Sequence, residues 1–136
     1  MPEAPDLEVA KDFLNRRAGG VSVLSGHVLR PSVLRPLAGD LGSDIPGRTI
    51  ERFYRRGKFL VVELSGDRLL VANPMLTGAF QYCEPGARVY KKTCFALALS
   101  NGRELRYLDD RQMGRVYYTT PDKLYEVPQF DTLGPD

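Results

Sequence analysis

From position 49 onward the sequence alternates, roughly every 8 to 12 residues, between short apolar or β-branched runs and turn-forming residues. This rhythm limits the fold more than any other feature. The runs cover residues 49–55, 59–64, 68–72, 77–82, 93–99, 104–108 and 115–119. Ser65-Gly66-Asp67 and Asn101-Gly102 stand between runs, the latter a favoured tight hairpin turn. Upstream, residues 21–29 and 32–34 also read as β-like, separated by Pro31. Pro36, Gly39, Gly42, Pro46 and Gly47 make the next stretch irregular, with at most a short helix near residues 39–45. Many short strands at such spacing argue for an antiparallel β-sandwich of about eight strands.

One helix precedes the strands. Pro5 suits the first helical position, Asp6 and Glu8 fall where the helix dipole favours carboxylates, and Arg16 and Arg17 fill the last turn before Gly19-Gly20. Leu7, Ala10, Phe13 and Leu14 recur at helical spacing, so an amphipathic helix over residues 5–18 is expected. The class is therefore α+β, mainly β. At 136 residues the chain is one domain, long enough to bury a core. No apolar run approaches the roughly 20 residues of a membrane helix. Acidic residues precede the first apolar run, unlike a secretory signal, so a cytoplasmic location and no membrane partner are expected. Cys83, Cys94 and the single His27 are too few for a four-ligand zinc site, so no metal is expected and both cysteines read as reduced. The net charge of +2 says little, but its distribution is uneven: Arg48, Arg52, Arg55, Arg56 and Lys58 cluster against Glu51 alone.

Four stretches carry candidate chemistry. The first is Pro2-Glu3. Removal of the initiator methionine would leave a secondary amine beside a carboxylate, and an α-amino group titrates near about 7.7–8.0, so part of it is nucleophilic at neutral pH. Attack on a sugar C1′ gives an iminium that acidifies the neighbouring C–H. The plain alternative is that Pro2 merely follows a start codon. The second is Arg55-Arg56-Gly57-Lys58, either a solvated edge flanking an apolar strand or a set of phosphate contacts. The third is residues 73–78, NPMLTG, which put Met75 and Leu76 in a break between strands, as core or as a wedge for the gap left by an extruded base. The fourth is residues 108–114, LDDRQMG, mixing Arg111 with Met113, where Asp109 or Asp110 serves to tie the loop.

In this order and spacing the motifs resemble the formamidopyrimidine-DNA glycosylase and endonuclease VIII family. PEAPDLEVA is similar to that family's opening PELPEVE, and GRTIERFYRRGKFLVVEL to the segment that ends in its lysine-bearing strand. NPMLTGAF stands where relatives have HLGMTG or HNQLYG, and SNGRELRYLDDRQMGRVYY matches their SNG, RY and DPRRFG stretch. LGPD is similar to the family's linker, which makes residues 1–132 a catalytic sandwich domain and residues 133–136 the start of a linker.

The resemblance implies base-excision DNA repair by a bifunctional DNA glycosylase and AP lyase, acting on double-stranded DNA with a damaged base or abasic site. Pro2 would form a Schiff base with C1′, Glu3 would move protons, and Lys58 would hold the flanking phosphates, with Arg55 and Arg56 beside it. Leu76 would fill the vacated stack, Arg111 would face the estranged base, and Met113, where many relatives have phenylalanine, would wedge between base pairs. A nucleoid-associated monomer without a cofactor in this chain is implied. Asp6 in place of glutamate, Asn73 in place of histidine, and Pro74-Met75 depart from the family pattern. Relatives continue into a helix-two-turn-helix and usually a zinc finger, so this stretch alone is expected to be weak or inactive as an excised N-terminal domain. The alternative is a relative that binds damaged DNA without turnover.

Overall fold

The computed structural model describes residues 4–130, with side chains from Leu7 onward. Pro2, Glu3, the side chain of Asp6 and the proposed linker at 133–136 lie outside the described residues.

Helix α1 spans Ala4–Ala18 and buries Leu7, Leu14 and Ala18, with Ala10 and Phe13 half-buried on the same face. Gly20, at φ +84°, carries the chain out of the helix into the sheets. Nine strands follow among the described residues: β1 Val23–Val28, β2 Leu34–Pro36, β3 Ile50–Arg56, β4 Phe59–Leu64, β5 Arg68–Asn73, β6 Gly78–Cys83, β7 Thr93–Leu99, β8 Glu104–Asp109 and β9 Arg115–Thr119. A short helix α2, Leu41–Asp44, falls within the irregular stretch, capped by the Asp40 carboxylate accepting from the Ser43 N–H at 3.1 Å. The strands form two sheets, one of order β1-β7-β8-β6 and one of order β2-β9-β5-β4-β3. The interior between them holds Val23, Phe53, Leu60, Val62, Leu70, Phe95, Leu97, Leu105, Tyr107 and Tyr118.

Three details depart from the sequence reading. Residues 31–33 form a 3-10 helix, not a strand, and β2 begins only at Leu34 and includes Pro36. β2 pairs with β9 in parallel, the one parallel pairing among otherwise antiparallel neighbours of the described strands. As an edge strand it tolerates a proline that a central strand would exclude. The Asn101-Gly102 turn is also wider than a two-residue turn. The Gly102 N–H bonds the Leu99 carbonyl at 3.1 Å, the Leu99 N–H bonds the Arg103 carbonyl at 2.9 Å, and Gly102 has φ +83°, a three-residue loop ending in a bulge.

The centre of the five-stranded sheet, strands β4 and β5, is buried on both faces. Phe59, Val61, Leu69 and Val71 point outward and are covered by Val127 and Phe130, which follow the 3-10 helix Pro121–Glu126. Phe130 lies 5.3 Å from Phe59 between ring centres. This explains why β4 reads as an unbroken apolar run and not as an alternation.

Asp44 joins α2 to β5 and β9. It accepts from Arg68 Nε at 2.8 Å, Tyr118 Oη at 2.5 Å and Arg48 Nη2 at 3.1 Å. Burial pushes the carboxyl up, but the hydrogen bonds from Tyr118, Arg68 and Arg48 outweigh it and hold the group below its ordinary 3.8. The stability this gives is therefore complete above the unfolded-state value and is lost as pH falls through the lower folded value. Asp44→Asn is expected to cost about 1–3 kcal/mol near neutrality. Urea midpoints of wild type and variant should converge as pH drops below about 4. A gap that stays constant with pH would show that the carboxylate charge is not what matters.

Candidate functional site

The register gathers several of the predicted residues at one end of the sandwich. The Gly57-Lys58 turn joins β3 to β4, where Arg56 faces Phe59. In the neighbouring strands Leu60 pairs with Ala72, and Asn73 with Arg115, so β5 ends and β9 starts at that same end. Gly78 opposes Asp109 across β6 and β8. The loops 74–77 and 110–114 therefore cross between the sheets side by side, one leaving the five-stranded sheet and the other entering it.

Leu76 is 68% exposed at the tip of its loop, an apolar side chain held in water. Met75 beside it is left-handed at φ +53°, which turns the loop sharply enough for the Gly78 N–H to bond the Pro74 carbonyl at 2.8 Å. Arg111 is exposed and Met113 half-buried. Gln112, at φ +53°, turns the chain between them. Lys58, half-buried, donates through Nζ to Gln129 Oε1 and lies 5.7 Å from the centre of the Phe59 ring.

The two arginines before it are engaged with the fold. Arg55 Nε donates to Glu8 Oε1 at 2.8 Å and its Nη1 to the Gly57 carbonyl at 2.8 Å. Arg56 lies 4.7 Å over the Phe130 ring. Hydrogen bonds from Lys11 and Arg55 hold the Glu8 carboxyl below its ordinary value. With Asn15, whose side chain exchanges two 2.7 Å hydrogen bonds with the Phe53 backbone, this pair fixes α1 against the hairpin. The first turns of α1 also border a cleft of about 160 Å³ lined by Leu7, Ala10, Leu60, Pro74, Gly78 and Phe80. Asn73, at the position where the resemblance gives histidine, has its Oδ1 buried without a hydrogen-bond partner among the described residues.

The residue that organises the two loops is one of the two aspartates offered by the sequence as a tie for the second loop, and its hold on the first loop carried no sequence signal. Asp109 is fully buried. Its Oδ1 accepts from Thr77 Oγ1 and from the Met113 N–H at 3.3 Å, and its Oδ2 accepts from Tyr107 Oη at 3.2 Å and the Gly114 N–H at 2.8 Å. All four acceptor sites of the carboxylate are taken. Burial, with the Asp109 charge beside it, pushes the Tyr107 phenol well above its ordinary value, so it stays a donor. The same two influences push the Cys94 thiol up to about 11, an unreactive neighbour. The strand period held the signal: Leu105 and Tyr107 face inward, which sends Asp109 inward as well. Packing there is tight. A Cβ on Gly114 would overlap Tyr107 Oη and lie 2.7 Å from the Asn73 carbonyl oxygen and 2.9 Å from Asp109 Oδ2.

No group of three or more His, Cys, Asp or Glu side chains among the described residues is placed to share a metal ion. No helix among them is long and apolar enough to cross a membrane.

Known proteins share this arrangement of chain. The family profile of the formamidopyrimidine-DNA glycosylase N-terminal domain matches residues 1–116. A formamidopyrimidine-DNA glycosylase of Heliobacterium modesticaldum is 32% identical over all of this chain and 50% of its own length, and one of Desulforamulus reducens is 30% identical over the same shares. The chain thus spans about half the length of the curated relatives it matches. Among solved structures, the Lactococcus lactis enzyme in complex with DNA containing a formamidopyrimidine-dG lesion superposes with a TM-score of 0.82 at 25% identity, over 91% of this chain and 46% of that one. The chain belongs to the family of formamidopyrimidine-DNA glycosylase N-terminal domains.

Proposed function

We propose that this chain is the catalytic half of a base-excision repair enzyme, a DNA glycosylase with AP lyase activity that works on double-stranded DNA carrying an oxidised base or an abasic site. The observation that carries the reading is the convergence of the Lys58 turn with two loops that expose Leu76 and Arg111 at the end of the sandwich where α1 begins. A flipped nucleotide demands this combination: cations for the backbone, and side chains to occupy the stack it leaves.

In the mechanism, the Pro2 amine, freed of Met1, attacks C1′. The N–C1′ bond forms as the glycosidic bond breaks, and the base departs with a proton. Glu3 shuttles protons as the sugar ring opens to the iminium. Loss of a C2′ proton then expels the 3′ phosphate. The iminium nitrogen accepts the electron pair that this elimination requires, and no outside oxidant or reductant enters. Lys58 holds the adjacent phosphate as a point charge. Its bond to Gln129 is the resting state of a group that DNA would claim. Leu76, Met113 and Arg111 fill the space behind the extruded nucleotide, while Arg55 and Arg56 add to the positive field from positions braced by Glu8 and Phe130.

Lys58→Ala tests the phosphate role. Duplex affinity should fall at every sequence alike, and the slope of log affinity against log salt should shrink by about one. An unchanged slope would remove Lys58 from the interface.

A further inference from the structure

Asp109 is hydrogen-bonded to both loops at once. Its Oδ1 receives the Thr77 hydroxyl from the loop that carries Leu76, and the same oxygen receives the Met113 backbone N–H from the loop that carries Arg111. Its Oδ2 receives Gly114 and Tyr107, so the carboxylate is anchored to the inner face of β8 while it holds the loops. Arg115 supports the second loop from the far side, donating to the Gln112 and Gly114 carbonyls at 3.0 and 2.7 Å. The first loop is tied to this centre through the Thr77 hydroxyl, and that tie is a single removable atom.

We propose that Asp109 is a positioning residue that makes the two loops one mechanical unit, so that Leu76 and Met113 enter the DNA stack together and not independently. This rests on the DNA reading above. A loop tip bearing one exposed leucine gains little by inserting alone, because a partly filled gap leaves its walls without contacts. Two side chains fixed at constant spacing share one ordering cost, which appears as energetic coupling between them. The carboxylate suits this role because it is buried, satisfied on all four sides, and reached by donors from both loops and from β8.

The chain has a reporter on each loop, Met75 and Met113. With ¹³C-methyl labelled methionine and no DNA present, Thr77→Val should shift or broaden the Met113 methyl signal, although Thr77 lies on the other loop. Thr77→Ser, which keeps the hydroxyl, should restore it. If Thr77→Val disturbs Met75 alone, the loops are uncoupled and the proposal is overturned. The second measurement is a double-mutant cycle of Leu76→Ala and Met113→Ala, read as affinity at low salt for a duplex with a tetrahydrofuran abasic site. The combined loss should depart from the product of the single losses by about threefold or more in the parent background, and return to that product in Thr77→Val. Additivity in the parent, with binding intact, overturns concerted insertion. Failure of every variant to bind the duplex defeats the DNA reading instead, and the methyl spectra then decide the coupling by themselves.

Discussion

Pro2→Gly is expected to reduce strongly the covalent adduct that borohydride traps between the protein and an abasic duplex. The effect should be among the largest of any substitution in the chain, because glycine keeps only a primary α-amine, whose imine must take up a proton before it can act as the electron sink that proline's iminium is from the start. An α-amine near about pH 7.7–8.0 needs no burial to be nucleophilic, whereas a lysine at about 10.4 would need a strongly altered site. The assay is best made in a polypeptide that carries this chain followed by a C-terminal half of the kind its relatives have, since added phosphate contacts raise duplex affinity. Intact mass belongs to the same experiment. With Met1 attached, the Pro2 nitrogen is an amide without an available lone pair, and no adduct forms even with every other residue in place. Trapping that continues undiminished through a lysine in Pro2→Gly would move the nucleophile elsewhere.

Gly114→Ala is the second change with a large expected effect, this time on stability. The added methyl would overlap a phenolic oxygen and meet a carbonyl oxygen and a carboxylate oxygen at 2.7 and 2.9 Å, and two of these three belong to the fully buried Tyr107 and Asp109. Neither can swing away without breaking the hydrogen bonds that hold the loops. Overpacking of this kind costs typically 1–3 kcal/mol, and the loss of buried hydrogen bonds adds to it, so about 3 kcal/mol or more is expected from urea unfolding. Combining the change with Tyr107→Phe removes the nearest clash, and the pair should cost less than the sum of the two single variants. A Gly114→Ala protein within about 0.5 kcal/mol of wild type would mean that the loop yields freely, contrary to the packing described.

The residues differ in how far the sequence alone revealed them. Strands β4, β7 and β9 were legible at both ends, because each is a run of apolar or β-branched residues bounded by turn formers. α1 was legible from its spacing and its glycine stop. β2 was not: Leu34, Arg35 and Pro36 have little strand propensity, and they are a strand only because Val116, Tyr117 and Tyr118 lie alongside. The segment that covers the outer face of the five-stranded sheet lies in residues 121–130, where Pro121, Pro128 and scattered apolar residues announce no regular element. The demand for such a cover was nevertheless present in the unbroken apolar run at the start of β4. For the site, the order of the motifs brought Lys58, Leu76, Arg111 and Met113 into one reading, and the fold places their segments at one end. What the order could not convey was the partnership of Arg55 with Glu8 and of Arg56 with Phe130, or the fan of donors around Asp109. Those depend on segments that meet only in three dimensions.

The last of the described strands, β9, is not at the margin of its sheet. It lies between β2 and β5, bonded to both. Until residues 115–119 are made and delivered, β2 has no partner in that sheet and β5 shows an open backbone edge beside β4. Assembly of the five-stranded layer therefore waits on contacts distant in sequence, and the wall that carries the Lys58 turn is completed only after every strand of the other sheet has been made.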